Sequence, residues 1–164
     1  MKLNEETLSI KELDTEDNCN ELFELSNEFF YEYENNNKDI FEIDSIKEED
    51  IRNYFQRFIG HESNKAYIVI YDKKIIGYIT LTINNQPDFW KVKKVGGISG
   101  LMVSKEFRKN GIGTKLVKKG MEYFGQKGIK YFTVLTSVNN INGISLYKKC
   151  GFEQLQTILY GRNK

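Results

Sequence analysis

The period of the apolar positions changes several times along the chain, and each change marks an element. Leu8–Leu13 alternates and predicts a first strand. Leu22, Leu25, Phe29 and Tyr33 recur at helical spacing, with Glu21, Glu24, Glu28 and Glu32 on the exposed rows of the same helix and Thr15 or Asp17 as its expected cap. Asn35-Asn36-Asn37-Lys38 reads as a loop. Ser45-x-x-Glu48 is a capping box for a second helix, whose stripe Ile51, Tyr54, Phe55, Phe58 and Ile59 stops at Gly60 and reads as core. Ala66–Tyr71 and Ile75–Ile83, split by Asp72-Lys73-Lys74, predict an antiparallel hairpin, followed by a loop over Asn84–Lys91 with Pro87. Val95–Val103 is the fourth strand. A helix over Ile112–Lys127 ends at Gly128 and leads to a fifth strand, Tyr131–Ser137, parallel to the fourth because a helix connects them. Asn140–Lys149 is the last helix and Phe152–Tyr160 a closing strand. The order β-α-α-β-β-β-α-β-α-β describes an α/β protein with a mixed sheet.

Composition narrows the picture. A chain of 164 residues, 40% hydrophobic with thirteen glycines, reads as one domain over residues 1–164. The start, MKLNEETLS, lacks the apolar region of a signal peptide, and no apolar run is long enough to span a membrane, so a cytoplasmic protein without membrane partners is expected. Cys19 and Cys150 lack metal-ligand spacing and read as reduced thiols; no metal is expected. His61, the one histidine, reads as a loop residue. The net charge of +1 hides an asymmetry. Residues 1–50 hold seventeen Asp/Glu against four Lys, a balance of −13; residues 51–164 hold six acids against twenty Lys/Arg, a balance of +14. The basic part suits an anionic ligand and the acidic part a cationic partner. Nucleic acid would also suit the basic part, but no nucleic-acid-reading motif is present, and this reading ranks last.

The stretch with the most chemical content is LMVSKEFRKNGIGTKLV, Leu101–Val117. A strand runs into a polar loop, and Asn110-Gly111-Ile112-Gly113-Thr114 opens a helix. Glycines let backbone approach a ligand, and the free N–H groups and dipole of a helix start favour an anion. Lys105, Arg108, Lys109, Lys115, Lys118 and Lys119 surround the turn against one acid, Glu106. The spacing is neither that of a mononucleotide P-loop nor that of a dinucleotide-binding fingerprint.

Val103-x-x-x-x-Arg108-x-x-Gly111-x-Gly113 resembles the pyrophosphate loop, R/Q-x-x-G-x-G/A, of the GCN5-related N-acetyltransferases (GNAT). Downstream, Asn140-x-x-Gly143-x-x-Leu146-Tyr147-x-Lys149-x-Gly151-Phe152 resembles the family's N-x-x-A-x-x-L-Y-x-K-x-G-F signature, with Gly143 in place of the more common Ala. The resemblance is clearest over residues 66–155. It implies the GNAT fold, with strands four and five splayed apart, and acetyl-CoA as cosubstrate. The N–H groups of Arg108, Lys109, Asn110, Gly111, Ile112, Gly113 and Thr114 would bind pyrophosphate. The backbone of Leu101, Met102 and Val103 would pair with the pantetheine arm, with an N–H of Met102 or Val103 facing the thioester oxygen. Asn140 would help seat the cofactor or the helix start; its plainer reading is a helix N-cap, and the two are compatible.

The same resemblance implies acetyl transfer to a primary amine by direct attack in a ternary complex, with Tyr147 protonating the leaving thiolate. Cys150 reads as a core residue, not a nucleophile. Many members carry a Glu on the fourth strand near Gly97 or Ser99 here, and neither position is acidic. The amine's proton would then leave through water or an acid of the amino-terminal half, with Glu28 and Glu32 as candidate substrate-binding residues within a candidate acceptor segment, Phe29–Asp44. The acidic half suggests a cationic acceptor, such as a polyamine, an aminoglycoside-like sugar or a protein amine. Homodimers are common in the family. The missing strand-four carboxylate also leaves open a non-catalytic acyl-CoA-binding sensor of the same fold.

Overall fold

The computed structural model describes residues 7–36 and 40–163. Its elements are β1 (Leu8–Glu12), α1 (Cys19–Asn36), α2 (Glu48–Gln56), β2 (Asn64–Tyr71), β3 (Lys74–Asn85), β4 (Lys94–Val103), α3 (Ile112–Gln126), β5 (Phe132–Val134) and α4 (Ile141–Lys149). The five strands form one sheet in sequence order. β1 to β4 are antiparallel neighbours and β5 joins β4 in parallel, as the connecting α3 requires. The α/β class and the mixed sheet are those the sequence predicts.

Period-two alternation sends side chains into two layers. Ala66, Ile68, Tyr78 and Met102 face α1 and α2, where Leu22, Leu25, Ile51, Phe55 and Phe58 are buried. Tyr67, Val69, Ile79, Leu81 and Ile98 face α3, which buries Ile112, Leu116, Val117, Tyr123 and Phe124. The β2–β3 turn has positive φ at both Asp72 (47°) and Lys73 (68°), the type I′ geometry that matches strand twist in a two-residue hairpin.

Several expected boundaries move, each for a local reason. Asp17 does not cap α1, because its carboxylate turns back to the Asp14 N–H (2.9 Å) and to Lys11 Nζ (2.7 Å). Asn18 takes the role instead, its Oδ1 accepting from Asn20 N–H at 3.0 Å. The predicted Ser45–Glu48 box is displaced by two residues. Asp50 accepts from the Lys47 N–H at 3.0 Å and α2 starts at Glu48. α2 ends at Gln56, well before Gly60, which adopts φ +71° in the following turn. Asn35 and Asn36 extend α1 where a loop was expected; Asn37 and Lys38 lie outside the described residues.

The closing strand over Phe152–Tyr160 does not form, so the element order stops at α4. Among the described residues no strand pairs with this segment, and Leu155, Ile158, Leu159 and Tyr160 are exposed. A strand's backbone groups need a neighbour, and apolar residues in sequence do not supply one.

Two details place the functional region. The β3–β4 register jumps from Thr80↔Gly100 to Leu81↔Ile98, which makes Ser99 the extra residue of a β-bulge. The bulge reverses the phase of β4, so Ile98 before it and Leu101 and Val103 after it all pack on the α3 side. The β4–β5 ladder covers only Gly96↔Phe132, Gly97↔Thr133 and Ile98↔Val134. Past Ile98, β4 keeps its β3 neighbour but has no β5 neighbour; the two strands part, as expected for strands four and five.

Candidate active site

The opening begins where β5 stops. Ser104 N–H donates to Ile76 O on the β3 side at 2.9 Å. Backbone groups alternate along a strand, so Met102 also faces β3, while the N–H and C=O of Leu101 and Val103 face the opening. This corrects part of the expectation: Met102 directs its side chain into the α1–α2 core and its backbone to β3. The Leu101 and Val103 N–H groups are the donors that an acyl carbonyl in this opening would meet.

The chain then makes a 3₁₀ turn at Lys105–Phe107 and enters the loop. Lys109 (φ 63°) and Gly111 (φ 78°) are both left-handed. For Gly111 this costs little, and for Lys109 it is a strained state that neighbouring contacts must hold. Asn110 holds it from within, its Nδ2 donating to Phe107 O and Arg108 O at 3.1 Å each. The first helical bond of α3 runs from Lys115 N–H to Gly111 O (3.0 Å). The N–H groups of Ile112, Gly113 and Thr114 precede it and have no intrahelical acceptor. Together with the helix dipole, these free N–H groups would favour an anion. The Arg108 N–H is not part of it, because it donates to Lys105 O at 3.3 Å.

The Arg108 side chain is occupied as well. Its Nε donates to Val103 O at 2.7 Å, Nη1 to Glu32 Oε1 at 2.9 Å and Nη2 to Glu32 Oε2 at 3.1 Å. Glu28 Oε1 lies 3.4 Å from Nη2 and accepts from the Lys105 N–H at 3.2 Å. Glu28 and Glu32, expected to face an acceptor, are therefore turned to the loop that follows β4. Opposite charges on separate elements were brought together by packing, which helical spacing alone does not reveal. In the candidate acceptor segment, Glu34 Oε1 accepts from the Ile43 N–H (3.0 Å), and Tyr33 packs edge-on to the exposed Phe41.

α4 flanks the first turn of α3. Leu146 Cδ1 lies 2.6 Å from where a Cβ on Gly113 would be, so a larger residue there would displace the end of the Leu146 side chain. Asn140 caps α4, Oδ1 accepting from the Gly143 N–H (3.0 Å) while Nδ2 donates to Thr136 Oγ1 (3.0 Å). Tyr147 is buried, and its ring meets Phe152, which meets Phe132, which stacks on Phe124. Burial pushes the Tyr147 hydroxyl up to about 12, so it carries its proton at neutral pH. Burial also pushes the Cys150 thiol up, which leaves little thiolate.

One polar pair escaped the sequence reading. Tyr54 on α2, assigned there to the core, shares a 2.8 Å hydrogen bond with Thr80 Oγ1 on β3. Both oxygens sit beside the bulge, 3.2 and 3.0 Å from where a Cβ on Gly100 would lie. A tyrosine within an otherwise apolar helical stripe, opposite a threonine within an apolar strand, was the available signal. A cavity of about 350 Å³ opens elsewhere, between α2 and the β1–α1 turn, lined by Leu13, Leu22, Ile51 and Phe55; none of these site residues borders it. Among the described residues, no group of His, Cys, Asp and Glu could hold a metal, and no helix is long and apolar enough to cross a membrane.

The model of the Acetyltransferase (GNAT) family matches residues 19–152, which contain the opening, the loop and α4. The chain belongs to the GNAT family. Similar proteins include an uncharacterized N-acetyltransferase of Methanocaldococcus jannaschii, 27% identical over 64% of this chain and 46% of the relative. Another, from Archaeoglobus fulgidus, is 34% identical over 47% of this chain and 52% of the relative. The matches thus span about half the length of these curated relatives. Among solved structures, the BH1408 protein of Bacillus halodurans matches with a TM-score of 0.82 at 19% identity, covering 94% of this chain and 99% of that one. The aminoglycoside acetyltransferase AAC(6')-Iy, bound to a CoA bisubstrate analogue, matches with a TM-score of 0.75 at 14% identity, covering 96% and 98%. These likenesses establish the GNAT fold for this chain.

Proposed function

We propose that this GNAT protein transfers an acetyl group from acetyl-CoA to a primary amine by direct attack in a ternary complex. The observation that carries the reading is the continuity of free backbone donors: the opening faced by Leu101 and Val103 leads into a left-handed Gly111 and the unbonded N–H groups that start α3. A thioester with a phosphorylated tail has the two ends that such a track would hold.

In this reading the N–H groups of Gly111, Ile112, Gly113 and Thr114 take the pyrophosphate, with Lys109 and Asn110 shaping the turn. An N–H of Leu101 or Val103 meets the thioester oxygen as negative charge develops there. The amine nitrogen forms a bond to the acyl carbon, the C–S bond breaks, and the thiolate takes the Tyr147 proton while the amine releases one. Asn140 acts by capping α4 and so placing Tyr147. Glu28 and Glu32 are held by Arg108 and so are not free to collect the amine proton, and water beside Tyr54 and Thr80 is the route we infer. Structural neighbours named for aminoglycosides and for glucosamine-6-phosphate suggest an amino sugar as the first acceptor class to try.

Thermal unfolding with and without acetyl-CoA, followed by thiol release with an amine panel, tests the reading. Acetyl-CoA at 100 times its Kd should add about 2.7 kcal/mol, a rise of roughly 5–10 °C for a domain of this size. No shift at millimolar acetyl-CoA overturns it. A shift without turnover on any amine favours the non-catalytic acyl-CoA-binding module, the reading that the absence of an acid on β4 supports.

A further inference from the structure

We propose that Glu32 and Arg108 form a latch by which helix α1 sets the shape of the cofactor loop, so that Glu32 is a positioning residue for acetyl-CoA. The inference rests on the acetyltransferase reading for its ligand, and on this structure's own contacts for the latch.

The arginine of the motif is the hub. All three of its guanidinium nitrogens are committed: Nε to the last carbonyl of β4, and both Nη groups to Glu32 in a fork-on-carboxylate pair. Glu28 doubles the grip by accepting from Nη2 and from the Lys105 N–H. The Lys105 ammonium lies 3.5 Å from Glu32 Oε1. Two carboxylates of α1 thus meet two cations of the segment joining β4 to α3. The side chains of Glu28 and Glu32 are about one-quarter and one-third exposed, so solvent screens the cluster only in part.

The loop needs such a grip. Lys109 sits at φ 63°, which a non-glycine residue keeps only when its surroundings impose it. Asn110 braces the turn from inside, and the Glu32–Arg108 pair fixes its start from outside. A loop already in its binding shape loses less entropy when it closes on a ligand. The latch therefore acts on affinity for acetyl-CoA and does not require Arg108 to touch a phosphate. It also gives Glu28 and Glu32 a purpose within the protein.

Steady-state kinetics and amide hydrogen exchange test this on Glu32→Gln, Arg108→Lys and the double variant, with Glu48→Gln as control. Glu48 pairs with Arg52 on the exposed side of α2 (2.8 Å), so its loss should leave the acetyl-CoA KM alone. The latch predicts that Glu32→Gln raises that KM about five- to tenfold, with the fall in kcat/KM arising mainly there. It predicts that Arg108→Lys does the same and that the double variant is no worse than either single one, because both break one contact. In the unliganded protein, Glu32→Gln should speed exchange of the 105–111 amides while leaving the core strands protected. Additive effects, or unchanged KM and exchange, overturn the latch. A fall in kcat at unchanged KM also overturns it and returns Glu32 to the acceptor side. If the wild-type protein binds no acetyl-CoA, the acetyltransferase reading fails, and the exchange comparison still decides whether the latch holds the loop.

Discussion

Asn140 and Gly143 are fitted to one another. The Asn140 carboxamide caps α4 by accepting from the Gly143 N–H at 3.0 Å, and it occupies the space a side chain on Gly143 would need, with Nδ2 only 2.5 Å from the Cβ position. The family signature more often has alanine there, so this chain pairs its asparagine with the smaller residue.

That fit predicts non-additive stability. Asn140→Ala removes the cap at a cost of about 1 kcal/mol, a fall of roughly 2–4 °C. Gly143→Ala gains up to about 1 kcal/mol of helix propensity and loses about as much by dislodging the cap, so it is nearly neutral. In a Gly143→Ala background, Asn140→Ala should cost almost nothing. Thermal unfolding of the four proteins checks this; equal costs in both backgrounds would refute the fit.

Gly96 is a packing requirement of β4. A Cβ there would lie 2.6–2.8 Å from three ring atoms of Phe124, a side chain with no exposed surface. The ring is itself stacked on Phe132 (5.2 Å), so it has no open side to move into. Gly96→Ala should cost about 1–3 kcal/mol in urea unfolding, the scale of core overpacking. A shift under a few tenths of a kcal/mol would show that the ring yields freely.

Tyr147→Phe should lower kcat at least 100-fold while acetyl-CoA binding persists, the lower end of what a positioned proton donor contributes. Cys150→Ala should retain turnover, because a raised thiol is a poor nucleophile. Activity abolished in Cys150→Ala but kept in Tyr147→Phe would point to an acyl-enzyme instead.

Alkaline pH supplies a separate test. Burial raises the Tyr147 hydroxyl to about 12 and pushes Tyr78 and Tyr54 upward as well. Between the ordinary tyrosine value, about 10, and these raised values, the unfolded chain has released protons that the folded protein keeps. Stability should therefore be level with respect to these groups below about pH 10 and fall as pH rises through about 12. Urea midpoints at rising pH measure the slope, and Tyr147→Phe should make it shallower. An unchanged slope in that variant would show that the hydroxyl is not held up by burial.

The sequence by itself determined most of the local elements and the glycine turn that opens α3. Short apolar runs rich in β-branched and aromatic residues on either side of Asp72-Lys73 specify a hairpin, because strand propensity and turn chemistry are local. The Arg108–Gly113 spacing and the Asn140–Phe152 signature were legible because backbone donors at a helix start depend on a few adjacent residues. Tertiary structure decided the remainder. Phe152–Tyr160 reads as a closing strand but has no neighbour to bond with among the described residues, so it forms no ladder. The bulge at Ser99, which turns Leu101 and Val103 toward the α3 side, is a relation between two strands and leaves no mark on one of them. Glu28 and Glu32 read as a solvated helix face because the cations that claim them lie more than seventy residues along the chain. Helical spacing specifies which side chains share a face, and only the folded neighbours specify what that face meets.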